Sequence, residues 1–190
     1  MAWFYTRMMG SVFDRGQRLF LASAGVVTLS ALAGRDGKGK PGPLREGEVP
    51  AFYVLHGLER VACVPIAEAE KTLRPLVTRS VAEQMLALLR DPVAPPAPST
   101  RPLLERGRDA VHQGSPLEQV TVLRELCQLP APLSEALGSG LRFLRDLVLG
   151  EISEVLGRAK SELEEELRAR FPAVDELESR GAQTVRFTEK

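Results

Sequence analysis

The apolar positions change their period along the chain. Residues 18–21 (Arg-Leu-Phe-Leu) and 26–29 (Val-Val-Thr-Leu) are short runs of large and β-branched residues, and Ser23-Ala24-Gly25 between them predicts a turn. Gly16 before the first run and Gly25 behind the turn supply the backbone freedom that a tight reversal requires. Residues 51–55 (Ala-Phe-Tyr-Val-Leu) and 60–65 (Arg-Val-Ala-Cys-Val-Pro) predict a second hairpin across His56-Gly57-Leu58-Glu59. Residues 34–50, rich in Gly, Lys, Arg, Pro and Glu, read as a solvated loop. Lys38 and Lys40 there serve solubility, because no strand-to-helix unit follows to make a phosphate-binding loop.

Beyond Pro65 the period lengthens to that of helices. Residues 66–70 lead through Leu73 and Pro75 to a capping box at Ser80 and Glu83, then to Met85, Leu86, Leu88 and Leu89, and Asp91-Pro92 stops the run. Residues 93–98 form a stiff Pro-rich connector inside the helical region. A helix restarts at Ser99 or Thr100, carries Leu103, Leu104 and Val111, and ends with Gly114 in the C′ position. The most regular stretch is 114–151. Ser115 and Glu118 make a capping box with Pro116 at the first helical position; Val120, Leu123, Leu126 and Cys127 form its apolar face. Pro130 and Pro132 end that helix, and Ser134 caps a longer one along Leu137, Leu141, Leu144, Val148, Ile152 and Val155. A charged helix over 159–171 sets Leu163, Leu167 and Phe171 on one side, with Glu164–Arg168 and Glu166–Arg170 at pairing distance. Pro172 ends it, and the tail reads either as a short helix with a strand-like end or as unordered chain.

Composition narrows the picture only in part. The 190 residues hold 25 basic and 25 acidic side chains, with a pI near 6.8. A protein that held DNA by itself would be basic, so any DNA contact here relies on another protein for most of the grip. Cys63 and Cys127 lie far apart in apolar patterns and read as reduced core thiols of a cytoplasmic protein. Residues 19–32 carry no charge, follow Arg7, Arg15 and Arg18, and end Ala31-Leu32-Ala33, which imitates an export signal. Ser23, Gly25, Thr28 and Ser30 inside the run argue for the hairpin instead, and the run falls short of the roughly 20 residues of a spanning helix. Residues 1–13, with Trp3, Phe4 and Tyr5, read as an N-terminal extension.

No catalytic constellation and no metal-ligand spacing stands out, so neither an enzyme nor a cofactor is expected. His56 falls in a hairpin turn and His112 at a helix end, where imidazoles are ordinary polar surface groups. Glu151 sits beside an apolar seam and is expected to pair with Arg124 or Arg145 across the helices.

The segment Val122-Leu123-Arg124-Glu125-Leu126, the Leu133-Ser134 helix start, Arg145 and Gly150-Glu151-Ile152 resemble the helical domain of the CarD/CdnL family of bacterial transcription regulators. The first third resembles that family's other domain: Gly16-Gln17 stands where the family has Gly-Asp, Leu21-Ala22 where it has Tyr-Pro, and Gly25-Val26 keeps its place. The Tyr53 strand and the strand ending Val64-Pro65 match best. The resemblance implies an α+β protein: an N-terminal extension (1–13), a small Tudor-like β barrel that binds the RNA polymerase β subunit (14–67), a helical bundle (68–172) and a tail (173–190).

It further implies a monomeric, non-membrane regulator of transcription initiation that acts on open-complex stability. The polymerase contact would fall on Arg35, Tyr53, Cys63, Val64 and Pro65, with Cys63 standing where the family often has a long side chain. Promoter DNA would be a weaker partner. The family's DNA-wedge tryptophan maps near Thr100, which cannot wedge a base step, and the one tryptophan is Trp3. Arg101, Arg106 and Arg108 stay as phosphate-contact candidates, although among Glu105 and Asp109 they read equally as a solvated face. The alternative is a protein–protein adaptor that has lost direct DNA contact.

Overall fold

A computed structural model of the chain describes residues 13–57, 61–91, 101–112, 115–129 and 133–171. The chain divides into two compact units between Leu76 and Val77. Among the described residues, no helix is long and apolar enough to cross a membrane.

The first unit is an antiparallel sheet. Its strands are β1 (Arg18–Leu21), β2 (Gly25–Arg35), β3 (Pro41–Gly42), β4 (Phe52–His56), β5 (Val61–Pro65) and β6 (Leu73–Pro75), with helix α1 (Ile66–Thr72) before β6. The order is β5-β4-β2-β1-β6, and β3 pairs with β2 off this path. The α+β class is therefore as the sequence suggests, but among the described residues the sheet is open, with β5 and β6 as its edges, and the strand path shows no closed barrel. Gly25 closes the first hairpin at φ +75°, and Ala24 N–H donates to Leu21 C=O at 3.0 Å.

Register decides the core. Leu19 opposes Val27 and Leu29 opposes Leu55, which sends Leu19, Leu21, Val27, Leu29, Tyr53 and Leu55 to one face. A bulge between Leu29 and Ala31 then shifts β2 by one residue against β4, so Leu32 rather than Ala31 faces Tyr53. Ser30 at the shift donates its hydroxyl to Val54 C=O at 2.9 Å. Phe13 belongs to this core, its ring 5.9 Å from Tyr53 in an edge contact, so the expected N-terminal extension is folded by its last residue; the rest of it, 1–12, lies outside the described residues.

Two expectations for this region give way. β2 runs on to Arg35 and pairs with β3, so part of 34–50 is strand rather than loop. The chain is also not wholly helical after Pro65, because Leu73–Pro75 returns as β6 against β1. That pairing keeps α1 and β6 with the sheet unit.

The second unit contains α2 (Arg79–Arg90), α3 (Arg101–His112), α4 (Pro116–Cys127), α5 (Glu135–Leu156) and α6 (Lys160–Arg170). Ser115 and Ser134 cap α4 and α5 as their sequences suggest, each hydroxyl accepting a backbone N–H three residues on at 3.4 Å. α2 starts earlier than expected: Thr78, not Ser80, is its N-cap, and Glu83 turns to Arg79 at 3.1 Å instead of closing a capping box. α5 has 22 residues and ends at Gly157 in the left-handed region, φ +67°. Its buried side is wider than one stripe, because Leu147 and Leu149 are covered along with Leu144, Val148 and Ile152. α2, α4 and α6 all pack on it. Met85, Val120 and Leu123 are fully buried in this core, and truncating Leu123 to Ala is a roughly 2–5 kcal/mol loss by the usual cavity cost.

Candidate docking site

Among the described residues, the sheet leaves one long edge, β5. Ile66 N–H donates to Ala51 C=O at 2.9 Å, and these two residues continue the β4–β5 register. Antiparallel pairs alternate, so Val64 and Ala62 turn their backbone groups toward β4 while Val61 and Cys63 turn theirs outward. Pro65 has no N–H, and α1 begins at Ile66, so the edge stops there. The outward residues also carry exposed side chains: Val61 is 60% exposed, and the Cys63 thiol is free and exposed. Cys63 is thus not the core thiol that its apolar neighbours suggest. The alternation explains this, since Cys63 lies on the opposite face from Val64, which is buried.

Arg35 stands at the same end of the sheet as Pro65. Ala33, Phe52 and Pro65 lie side by side on β2, β4 and β5, and the Arg35 guanidinium covers the Phe52 ring with 5.5 Å to its centroid. The following loop is built from carboxylates turned onto its own backbone. Asp36 Oδ1 accepts from Lys38 N–H (2.9 Å) and Lys40 N–H (2.7 Å), and Glu48 accepts from Arg35 N–H (3.2 Å) and Arg45 N–H (3.1 Å). Leu44 and Val49 remain exposed on it.

The expected polymerase-contact residues therefore separate into two groups. Arg35, Cys63 and Pro65 reach the surface; Tyr53 is fully buried and Val64 nearly so, and both serve the core beneath the edge. Tyr53 follows from the register, because its neighbours Leu32 and Val64 face the same way. Which strand forms the edge is what the residues alone leave open; the Pro65-to-Ile66 switch from strand to helix is the signal that could have found it.

Of the DNA-contact candidates, Arg101, Arg106 and Arg108 fall on α3, and the side chains of Arg106 and Arg108 are described. Thr100 lies outside the described residues, and Arg101 opens α3. Arg106 is committed to two carboxylates of α4, Glu118 at 2.8 Å and Glu125 at 2.9 Å, and these partners push its already high pKa further up. Arg108 is exposed. Glu118 thereby bonds Arg106 rather than completing the reciprocal half of its capping box.

The expected structural residues occupy the core of the helical unit. Glu151 is fully buried, and its Oε1 accepts from Val77 N–H at 3.0 Å. Arg124 donates instead to Leu88 C=O at 2.6 Å, near the end of α2, so it does not serve as the partner expected for Glu151. Arg145 lies close enough to Cys127 to draw its thiol pKa down, yet burial dominates and pushes that thiol up to about 12. Cys127 is therefore an inert core thiol. Among the described residues no group of three His, Cys, Asp or Glu could hold a metal ion.

The chain matches no known family model and no curated protein.

Proposed function

We propose that the chain is a transcription regulator that docks on the β subunit of bacterial RNA polymerase through its N-terminal unit and modulates initiation through its helical unit. The reading assigns it to the cytoplasm, gives it no reaction to catalyse, and takes the open sheet as a variant of the Tudor-like polymerase-interacting domain of CarD/CdnL proteins. One observation carries it: β5 is an edge strand whose two outward-facing residues are uncharged, ending at a proline beside an exposed arginine. Such an edge accepts a strand from another chain, with backbone groups giving affinity and flanking side chains giving specificity. Natural proteins ordinarily blunt exposed edges with charge, and Val61 and Cys63 do not.

Titration calorimetry of the full chain against the N-terminal lobe of the polymerase β subunit tests this. Micromolar binding, abolished by Cys63→Pro and weakened by Arg35→Glu, is expected. Cys63→Pro deletes an N–H that points away from β4, so the sheet keeps its own ladder while the edge loses a donor.

A second reading, an adaptor without direct DNA contact, is favoured by Arg106, whose charge is spent on Glu118 and Glu125. Under it, Thr100→Trp creates promoter-complex stabilisation that the natural chain lacks; an unchanged complex lifetime would count against that placement of the wedge.

A further inference from the structure

Where α6 packs beside α2 and α5, a cleft of about 600 Å³ remains within the helical unit. Its floor is Leu86 and Leu89 of α2, Leu149 of α5, and Leu163 and Leu167 of α6. Small-molecule sites typically measure about 300–1,000 Å³ and combine an apolar lining with a few placed polar groups. Here the polar groups are Arg90, Glu166 and Arg170.

These three are not balanced. Arg170 follows Glu166 by one helical turn and is its natural partner on an isolated helix. Glu166 instead bonds Arg90 at 2.8 Å and Arg158 from the turn before α6, so the expected Glu166–Arg170 pair does not form. Arg158, then Arg90, hold the Glu166 carboxyl below its usual range. Arg170 has no ion pair among the described residues, is exposed, and lies on the same helical side as Leu163 and Leu167. The cleft thus has an apolar floor and, in Arg170, a lining arginine with no ion pair among the described residues.

We propose that this cleft binds a free fatty acid of medium chain length, with the carboxylate forked by Arg170 and the alkyl chain laid along the five leucines. A planar guanidinium matches a carboxylate with two parallel hydrogen bonds, which gives the head group its selectivity. The chain contributes through apolar burial, at about fourfold in affinity per methylene. Arg90, already tied to Glu166, fixes the rim rather than the ligand.

The test is titration of the full chain with laurate, decanoate, dodecanol and dodecyltrimethylammonium below their micelle concentrations, with methyl NMR of Leu163 and Leu167 to locate the site. Saturable one-to-one laurate binding is expected, about fifteenfold tighter than decanoate, with shifts at both leucines and at least a tenfold loss in Arg170→Glu. Because Arg170 is exposed, that variant keeps its fold, which circular dichroism checks. Leu86→Trp, filling the cleft from a half-buried position, should abolish binding with the helix content unchanged. Equal binding of the cationic or neutral amphiphile, indifference to Arg170→Glu, non-saturating uptake, or shifts confined to other methyl groups would each overturn the proposal.

Discussion

Gly34 lets one methyl group test how the loop after β2 is tied to the sheet that carries Arg35. A Cβ at Gly34 would meet both Glu48 carboxylate oxygens at 2.6 Å, well inside contact distance. Gly34→Ala therefore swings that carboxylate away from Arg35 N–H and Arg45 N–H. A hydrogen bond to a charged acceptor contributes roughly 1.5–3 kcal/mol when shielded from water. Both of these are exposed, so their joint loss is set at about 1 kcal/mol. Alanine otherwise gains about 0.5 kcal/mol over glycine in a strand. The substitution should thus destabilise the sheet unit by about 0.5 kcal/mol in the natural chain and stabilise it by about as much in Glu48→Ala, a coupling near 1 kcal/mol. Native-state hydrogen exchange of β2 and β4 amides reads this unit without interference from the helical one. The same effect in both backgrounds would refute the reasoning.

Three further outcomes follow from the helical unit. Glu151→Ala strands Val77 N–H in a half-buried position and should cost about 1–3 kcal/mol in urea unfolding, whereas Glu151→Gln, which keeps an acceptor, should cost less. Burial raises the Cys127 thiol from 9.0 to about 12, so the folded state holds a proton that the unfolded state releases above pH 9. The Cys127 contribution should be constant below pH 9 and then fall by up to about 1.4 kcal/mol per pH unit, a slope that Cys127→Ala removes; an unchanged slope would contradict the burial. Glu166, lowered by Arg158 and Arg90, contributes stability above its ordinary carboxylate range that is lost as acid protonates it. Glu166→Gln should flatten that acid limb in pH-resolved melting curves.

What could be read in the sequence was local. Ser115 and Ser134 sit in the residue patterns that cap a helix whatever lies around it, and both caps form. Leu163, Leu167 and Phe171 are buried as their spacing suggests. The misses all depended on partners distant in the chain. β6 exists only because Phe20 and its neighbours pair with Leu73–Pro75, and three residues with a proline carry no strand signal alone. Glu166 abandons its helical neighbour because Arg90, on α2, offers a closer partner. Arg106 likewise reads as a phosphate contact or a solvated charge until α4 brings Glu118 and Glu125 against it. Cys63 shares its apolar string with Val64, and the pleat, not the composition, decides which of the two is covered.

Binding to the N-terminal lobe of the RNA polymerase β subunit tests the central claim most directly. Calorimetry with the full chain, Cys63→Pro and Arg35→Glu should give micromolar binding for the natural sequence, none for the proline variant, and weakened binding for the charge reversal. Absence of binding by a folded natural chain, or full binding by Cys63→Pro, would contradict docking through β5.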